Sequence, residues 1–173
     1  MLTVAIDLDE TLVCVTHDPL AGSPNATCSH GNIYIRPHAF SVLASLSAST
    51  TVGIWSSAPT QYVNDVLDAS GLTAIDLAFV WTGRDCTFRD YGTGKIYYYK
   101  DTNQLRSNFS TESVLLVDNS PAKIVGHGSD SIVVASFTGD DDDELLAVDR
   151  FIRRLQATEA EMKFDRFDWR ALL

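Results

Sequence analysis

Four short apolar runs constrain this chain more than any other feature: Thr3 to Ile6, Val52 to Trp55, Val114 to Val117 and Ile132 to Ala135. Runs of that length without polar alternation fit strands covered on both faces, as in a parallel sheet, since an exposed face demands polar residues at alternate positions. Helical patterns separate them. Pro37 to Leu46 sets Phe40, Leu43 and Leu46 on one stripe, behind a proline suited to a first turn. Pro59 to Ala69 does likewise with Tyr62, Val63, Val66 and Leu67, and Gly71 lies just past its expected end. Glu144 to Gln156 carries Leu145, Val148, Ile152 and Leu155 behind acidic residues that suit a helix N-terminus. Strands alternating with helices predict an α/β fold: a mainly parallel, Rossmann-type central sheet flanked by helices, with ligands beyond the strands' carboxyl ends.

Two stretches depart from that alternation. Ala78 to Trp81, Cys86 to Arg89 and Lys95 to Tyr99 are short β-like runs, the last two joined through Tyr91-Gly92-Thr93-Gly94, and predict a small antiparallel β insertion over about residues 76–100. Asp18 to Asn32, rich in Gly, Ser, Pro and Asn, reads as a loop. With 173 residues, 45% of them hydrophobic, the chain is expected to form a single domain over residues 1–173.

A formal net charge of −10 repels polyanions and argues against direct nucleic-acid binding. The excess acid is uneven. Asp140 to Asp143 and Glu144 stand together, whereas between Ile33 and Arg106 the basic and acidic residues balance, so the middle of the chain suits an anion. Cys14, Cys28 and Cys86 form no C-x-x-C pair, which favours a reducing compartment, nuclear or cytoplasmic. No window approaches 18 consecutive apolar residues, and no leader pattern precedes the first strand, so a soluble, intracellular protein without membrane contact is expected.

The first three predicted strands end in polar residues that phosphoryl transfer can use: Asp7-Leu8-Asp9-Glu10-Thr11, Ser56-Ser57 and Asp118-Asn119-Ser120. A phosphomonoester needs an in-line nucleophile, an acid for the leaving oxygen, and cations for the nonbridging oxygens. Asp7 and Asp9 can supply the first two. If the backbone leaves the strand after Asp7, the Asp9 side chain swings over the phosphate while its carbonyl faces a metal. Asp7, Asp118 and Asn119 offer the hard oxygens that Mg²⁺ takes. Taken singly, each residue is equally well read as a helix cap or turn former; three such strand ends together favour a site.

The segment Asp7-Leu8-Asp9-Glu10-Thr11-Leu12-Val13 resembles the first motif of the haloacid dehalogenase superfamily. The variant is that of the small, NLI-interacting factor-like phosphatases that act on the carboxy-terminal domain of RNA polymerase II; many other superfamily members have Gly where Glu10 stands. Further resemblances follow in order: Arg36-Pro37, Trp55-Ser56, Arg84-Asp85-Cys86-Thr87-Phe88, Lys100-Asp101, Val117-Asp118-Asn119-Ser120-Pro121, and Asp143-Glu144-Leu145-Leu146. The resemblance implies that Asp7 forms an aspartyl-phosphate and that Asp9 protonates the leaving hydroxyl and then activates water. It implies that Ser56 and Lys100 hold the phosphoryl oxygens, and that Asp118 and Asn119 complete a Mg²⁺ site with Asp7 and Asp9. Arg84 becomes a candidate substrate contact, because the β insertion of these phosphatases forms part of the peptide-binding surface, and Thr11 and Ser57 are further candidate substrate contacts. The implied substrate is phosphorylated serine or threonine in a protein, the polymerase carboxy-terminal domain being the family's example. This chain departs from the family at Trp55-Ser56, often Phe-Thr, at Cys14, often His, and in a shorter stretch between Val13 and Arg36.

Two other functions compete: a small-molecule phosphomonoesterase on the same scaffold, and a noncatalytic phosphoprotein-binding or scaffold protein. The small insertion favours a protein substrate over an enclosed metabolite, and intact Asp7, Asp9, Lys100 and Asp118 argue against a scaffold. Cys14, His17, Cys28 and His30 could hold zinc, although a plain loop is the better reading of their spacing. Of Tyr97, Tyr98 and Tyr99, two are expected to face solvent and one to pack. Met162, Phe164, Phe167, Trp169 and Leu172 make the end of the chain apolar enough to dock on the core.

Overall fold

The computed structural model describes residues 1–92, 94–158 and 164–173. In those residues β1 (Thr3–Ile6) leads to a hairpin-rich segment of β2 (Val13–Thr16), β3 (Ala26–Cys28) and β4 (Gly31–Ile35). Next come α1 (Ala39–Ser47), β5 (Thr51–Trp55), α2 (Thr60–Ser70) and β6 (Phe79–Trp81). The chain continues through β7 (Thr87–Asp90), β8 (Ile96–Asp101), α3 (Thr102–Phe109) and β9 (Val114–Asp118). It ends with β10 (Ile124–Val125), β11 (Ser131–Val133) and α4 (Glu144–Ala157).

The central sheet runs in the order β11-β9-β1-β5-β6, parallel throughout. The four predicted runs fall on β1, β5, β9 and β11; β6 joins them at one edge, and β1 lies at the middle. The residues of β1 face alternate sides, as the pleat requires. Val4 and Ile6 pack with the apolar faces of α1, α2 and α4, while Ala5 joins Trp55, Leu105 and Leu116 on the side of α3. In the register, Ile6 sits beside both Ile54 and Val117. The residues that follow these strands therefore emerge side by side at one edge of the sheet.

The structure corrects the sequence reading at several elements. Of the three β-like runs in the predicted insertion, the first is β6, a parallel edge strand of the central sheet; only β7 and β8 form an antiparallel hairpin, and β10 adds to β8 in parallel. Gly53 makes the β6 pairing possible, since a Cβ there would lie 2.5 Å from the Phe79 ring. The stretch read as a loop contains β3, which closes an antiparallel sheet in the order β2-β4-β3. α1 starts at Ala39 after His38 in a left-handed conformation, and it buries Ala39, Val42, Leu43 and Leu46 while Phe40 stays exposed. Ala39, Val42, Leu43 and Leu46 follow the i, i+3, i+4, i+7 spacing, so Leu43 and Leu46 stay on the expected stripe and Phe40 falls beside it. α2, by contrast, ends as expected with Gly71 in the left-handed region, and α4 covers the expected residues.

The end of the chain docks on the core, as its apolar residues predict. Trp169 is fully buried against Phe151, and its indole N–H donates to the Val133 carbonyl. Phe164 packs edge-on against Phe151, whereas Phe167 is exposed and Met162 lies outside the described residues. Tyr97 and Tyr98 face solvent and Tyr99 is half-buried, as expected. No helix among the described residues is long and apolar enough to cross a membrane.

Candidate active site

The three strand ends meet. Asp7 follows β1, its amide N–H donating to the Val117 carbonyl at 2.8 Å, and its carboxylate is almost fully buried. Lys100, near the end of β8, is entirely buried and places its ammonium 2.5 Å from Asp7 Oδ1 and 2.6 Å from Asp118 Oδ2. Burial opposes the charge on Lys100, but Asp7 and then Asp118 outweigh it and hold the amine protonated above its usual range. The second Asp118 oxygen accepts the Ser120 N–H at 2.7 Å. Burial, and next the charge of Asp7, raise the Asp118 pKa, against the opposing pull of Lys100.

Asp9 has other company. After Asp7 the chain coils: the Leu8 carbonyl accepts the N–H groups of Thr11, Leu12 and Val13, and Glu10 takes a left-handed φ of 58°. This turn carries Asp9 toward α2, where the Tyr62 hydroxyl donates to Asp9 Oδ1 and the Ser56 hydroxyl lies 3.4 Å from Oδ2. Burial raises the Asp9 pKa, and the charge of Asp7 adds to the rise; Tyr62, Lys123 and Ser56 oppose it. One carboxylate thus sits on a cation and the other among hydroxyls, an arrangement that separates a nucleophile from a proton donor.

The other predicted residues surround this pair. Ser56 is buried, and its Oγ accepts the Ala58 N–H at 3.1 Å. Asn119 donates through Nδ2 to Glu10 at 3.0 Å and to Ser136 at 2.9 Å, which turns its Oδ1 toward the Thr11 hydroxyl, 3.5 Å away. Thr11 is fully buried on the inner side of the turn. Arg84 is exposed on the short turn Gly83–Asp85, closed by reciprocal hydrogen bonds between Thr82 and Asp85. That turn abuts the loop after β5: the Gly83 N–H donates to the Ala58 carbonyl at 2.8 Å, and a Cβ on Gly83 would meet the Ser57 carbonyl at 2.9 Å.

The donor set suits Mg²⁺. Asp7 and Asp118 bring carboxylate charge to one point, where Lys100 meets an oxygen of each. No three His, Cys, Asp or Glu side chains are gathered there as a ready metal cluster among the described residues. Two carboxylates and the Asn119 amide oxygen are hard donors of the kind Mg²⁺ takes, with phosphate and water completing its shell. The candidate zinc residues are not gathered either: Cys28 Sγ accepts the His30 N–H, and His30 Nε2 pairs with Asp65 at 3.2 Å.

Two neighbours of the site escape a reading of the sequence. Tyr62 reads there only as part of an apolar stripe, yet a half-buried tyrosine hydroxyl needs a partner, and its position in the first turn of the helix that follows Ser56 is the available signal. Lys123, whose Nζ donates to Ser57 Oγ at 3.0 Å, carries no sequence signal of its own.

The fold is similar to that of two solved structures. One is the fission yeast RNA polymerase II CTD phosphatase Fcp1, in a variant bound to beryllium fluoride, with a TM-score of 0.55 and 18% identity over 84% of this chain and 45% of that chain. The other is described as Fcp1, an essential RNA polymerase II CTD phosphatase, with a TM-score of 0.55 and 16% identity over 94% of this chain and 55% of that one. This chain therefore spans about half the length of those structures, and at such identities the likeness establishes a haloacid dehalogenase-like fold. No curated protein is a significant match. The sequence profile of the NLI interacting factor-like phosphatases matches residues 2–163, and the chain belongs to that family.

Proposed function

We propose that this single domain is a Mg²⁺-dependent phosphatase of phosphoserine and phosphothreonine in proteins, working through an aspartyl-phosphate on Asp7. The observation that carries the reading is the pairing of Asp7 with the buried Lys100 while Asp9, two residues on, is held apart by Tyr62. Asp7, through the oxygen that Lys100 does not hold, attacks phosphorus. The bond to the ester oxygen breaks, and Asp9 gives that oxygen its proton. Asp9, now ionised, takes a proton from the water that attacks the aspartyl-phosphate, which releases inorganic phosphate and restores Asp7. Lys100 and Ser56 hold the phosphoryl oxygens, and Lys100 offsets repulsion between Asp7 and the incoming dianion.

Mg²⁺ would be held by Asp7, Asp118, Asn119 and the Asp9 backbone carbonyl, and when bound it neutralises charge on the phosphoryl oxygens. Ser57 and Arg84, at the mouth, face the substrate beyond its phosphate, and Thr11 supports the turn from within. Three free thiols suit a reducing, nuclear or cytoplasmic setting. By analogy with the Fcp1 structures, the polymerase carboxy-terminal domain is the first substrate to try. The test is turnover of an aryl phosphate and of a phosphopeptide panel, with Mg²⁺ and with chelator. Activity only with Mg²⁺, and on phosphoserine or phosphothreonine peptides, is expected. Full activity in chelator overturns the metal assignment, turnover of small phosphates alone returns the metabolite reading, and no turnover of any kind returns the scaffold reading.

A further inference from the structure

The mechanism above gives Lys123 no contact with the substrate, although its charge reaches Asp9 and opposes the rise of that pKa. It follows Pro121 in the segment after β9, and it is half-buried. Among the described residues its ammonium donates one hydrogen bond, to the neutral Ser57 hydroxyl at 3.0 Å, and forms no ion pair. An ammonium has three donors, so two are left for another acceptor. In a chain with a net charge of −10, an unpaired, partly desolvated cation beside the site is a local exception.

Its surroundings give it a direction. Lys123 and Ser57 line a groove of about 470 Å³ whose other wall is the hairpin strand β8, with Ile96, Tyr97, Tyr98 and Tyr99. Ser57 directly follows Ser56, so the groove opens from the catalytic strand end. A peptide whose phosphate reaches Asp7 has its neighbouring residues within a few ångströms of the groove, because an extended chain advances only about 3.3 Å per residue. The tyrosines offer apolar surface and hydroxyls, and among the described residues the sole cation lining the groove is Lys123.

We propose that Lys123 forms a second anion subsite, so that the enzyme prefers phosphopeptides with a further anionic group, a carboxylate or a second phosphate, beside the phosphorylated residue. The inference rests on the phosphatase reading for its first arm and stands apart from it in the second. In the first arm, kcat/KM is measured for peptides that differ only in a flanking Ala, Glu or phosphoserine, placed at successive positions on either side. The expected preference for the anionic flank is about fivefold, the scale of a partly exposed ion pair, and it shrinks as salt rises. Lys123→Met should bring the ratio to about one, and Lys123→Arg should retain it, which separates charge from folding. A larger gain for phosphoserine than for Glu identifies a second phosphate as the favoured group; equal gains identify any carboxylate-like anion.

In the second arm, the same peptides, fluorescently labelled, are bound to the Asp7→Asn protein with and without Lys123→Met. This arm decides the subsite even if no peptide is hydrolysed, an outcome that would sink the phosphatase reading alone. Binding and turnover that ignore the flanking charge overturn the proposal. So does a preference that survives Lys123→Met, or an equal loss on neutral and anionic peptides, which would place Lys123 on the scissile phosphate.

Discussion

The strand β8 belongs to two regions that differ in nearly every physical respect. At its inner end Lys100 is 0% exposed and held between two carboxylates; at its outer end Ile96 is 56% exposed, and Phe88 across the hairpin is 67% exposed. The inner region is over-determined: each group that would touch phosphorus is fixed by a partner on another element. The outer hairpin carries an exposed aromatic surface, with Phe88, Tyr91, Tyr97 and Tyr98 open to solvent. A fixed inner end suits chemistry common to every substrate, and an exposed outer end suits recognition of what flanks the phosphate. Because one strand carries both, the hairpin is tied to the position of Lys100.

The largest effects should come from the inner region. Asp7→Asn should abolish turnover and leave no acid-labile phosphoenzyme, since an amide cannot serve as the nucleophile. Asp9→Asn should lower turnover by about 10²–10⁴-fold and let phosphoenzyme accumulate on an aryl phosphate, whose leaving group needs little protonation. Rapid-quench measurements with labelled substrate read both, and a stable phosphoenzyme on Asp7→Asn would mean that another residue is the nucleophile. Lys100→Met should also destabilise the fold by about 3–5 kcal/mol in denaturant titrations, because it leaves two buried carboxylates facing each other. Tyr98→Ser on the hairpin should change stability by only about 0.5 kcal/mol, the scale of a surface substitution. Similar losses for the two variants would erase the contrast between the regions.

The same contrast decides what the sequence disclosed. β1, β5, β9 and β11 were legible because strands covered on both faces are apolar along their whole length. The carboxylates at their ends were legible because parallel strands deliver their carboxyl ends to one edge. β3 is only three residues long, and α3 buries little beyond Thr102 and Leu105, so neither leaves a periodic signal. Asp101 caps α3 by accepting the Asn103 N–H, a contact that reads equally as a turn in the sequence. Tyr62 and Lys123 reach the site through side chains whose direction depends on tertiary packing, which no local pattern records.

A smaller effect probes the border between the regions. Tyr62 is supported by the His30 ring, 4.9 Å away, and it donates to Asp9. Tyr62→Phe keeps the ring and removes the hydroxyl that orients the proton donor. Loss of one hydrogen bond to a charged group costs about 1.5–3 kcal/mol, or roughly tenfold to a hundredfold in rate. The loss should be greater for phosphoserine peptides, whose alkoxide leaving group needs the proton, than for an aryl phosphate. A uniform loss across leaving groups would make Tyr62 a packing residue of α2.

The smallest expected effect belongs to Arg84, on the exposed turn beside Ser57. Its guanidinium has no partner among the described residues, so Arg84→Ala should leave the fold unchanged, and any loss should appear only when a peptide is present. An exposed charge contact is worth about 0.2–1 kcal/mol, which corresponds to a loss of up to about fivefold in kcat/KM on phosphopeptides at low salt. The loss should fade as the Debye length shortens with added salt. An aryl phosphate, which fills the phosphate site and little else, should be turned over nearly as well by the variant as by the wild type. Steady-state kinetics on the two substrates at two salt concentrations make the comparison. Equal losses on both would move Arg84 from the recognition surface to the phosphate site and would draw the border between the two regions one turn further out.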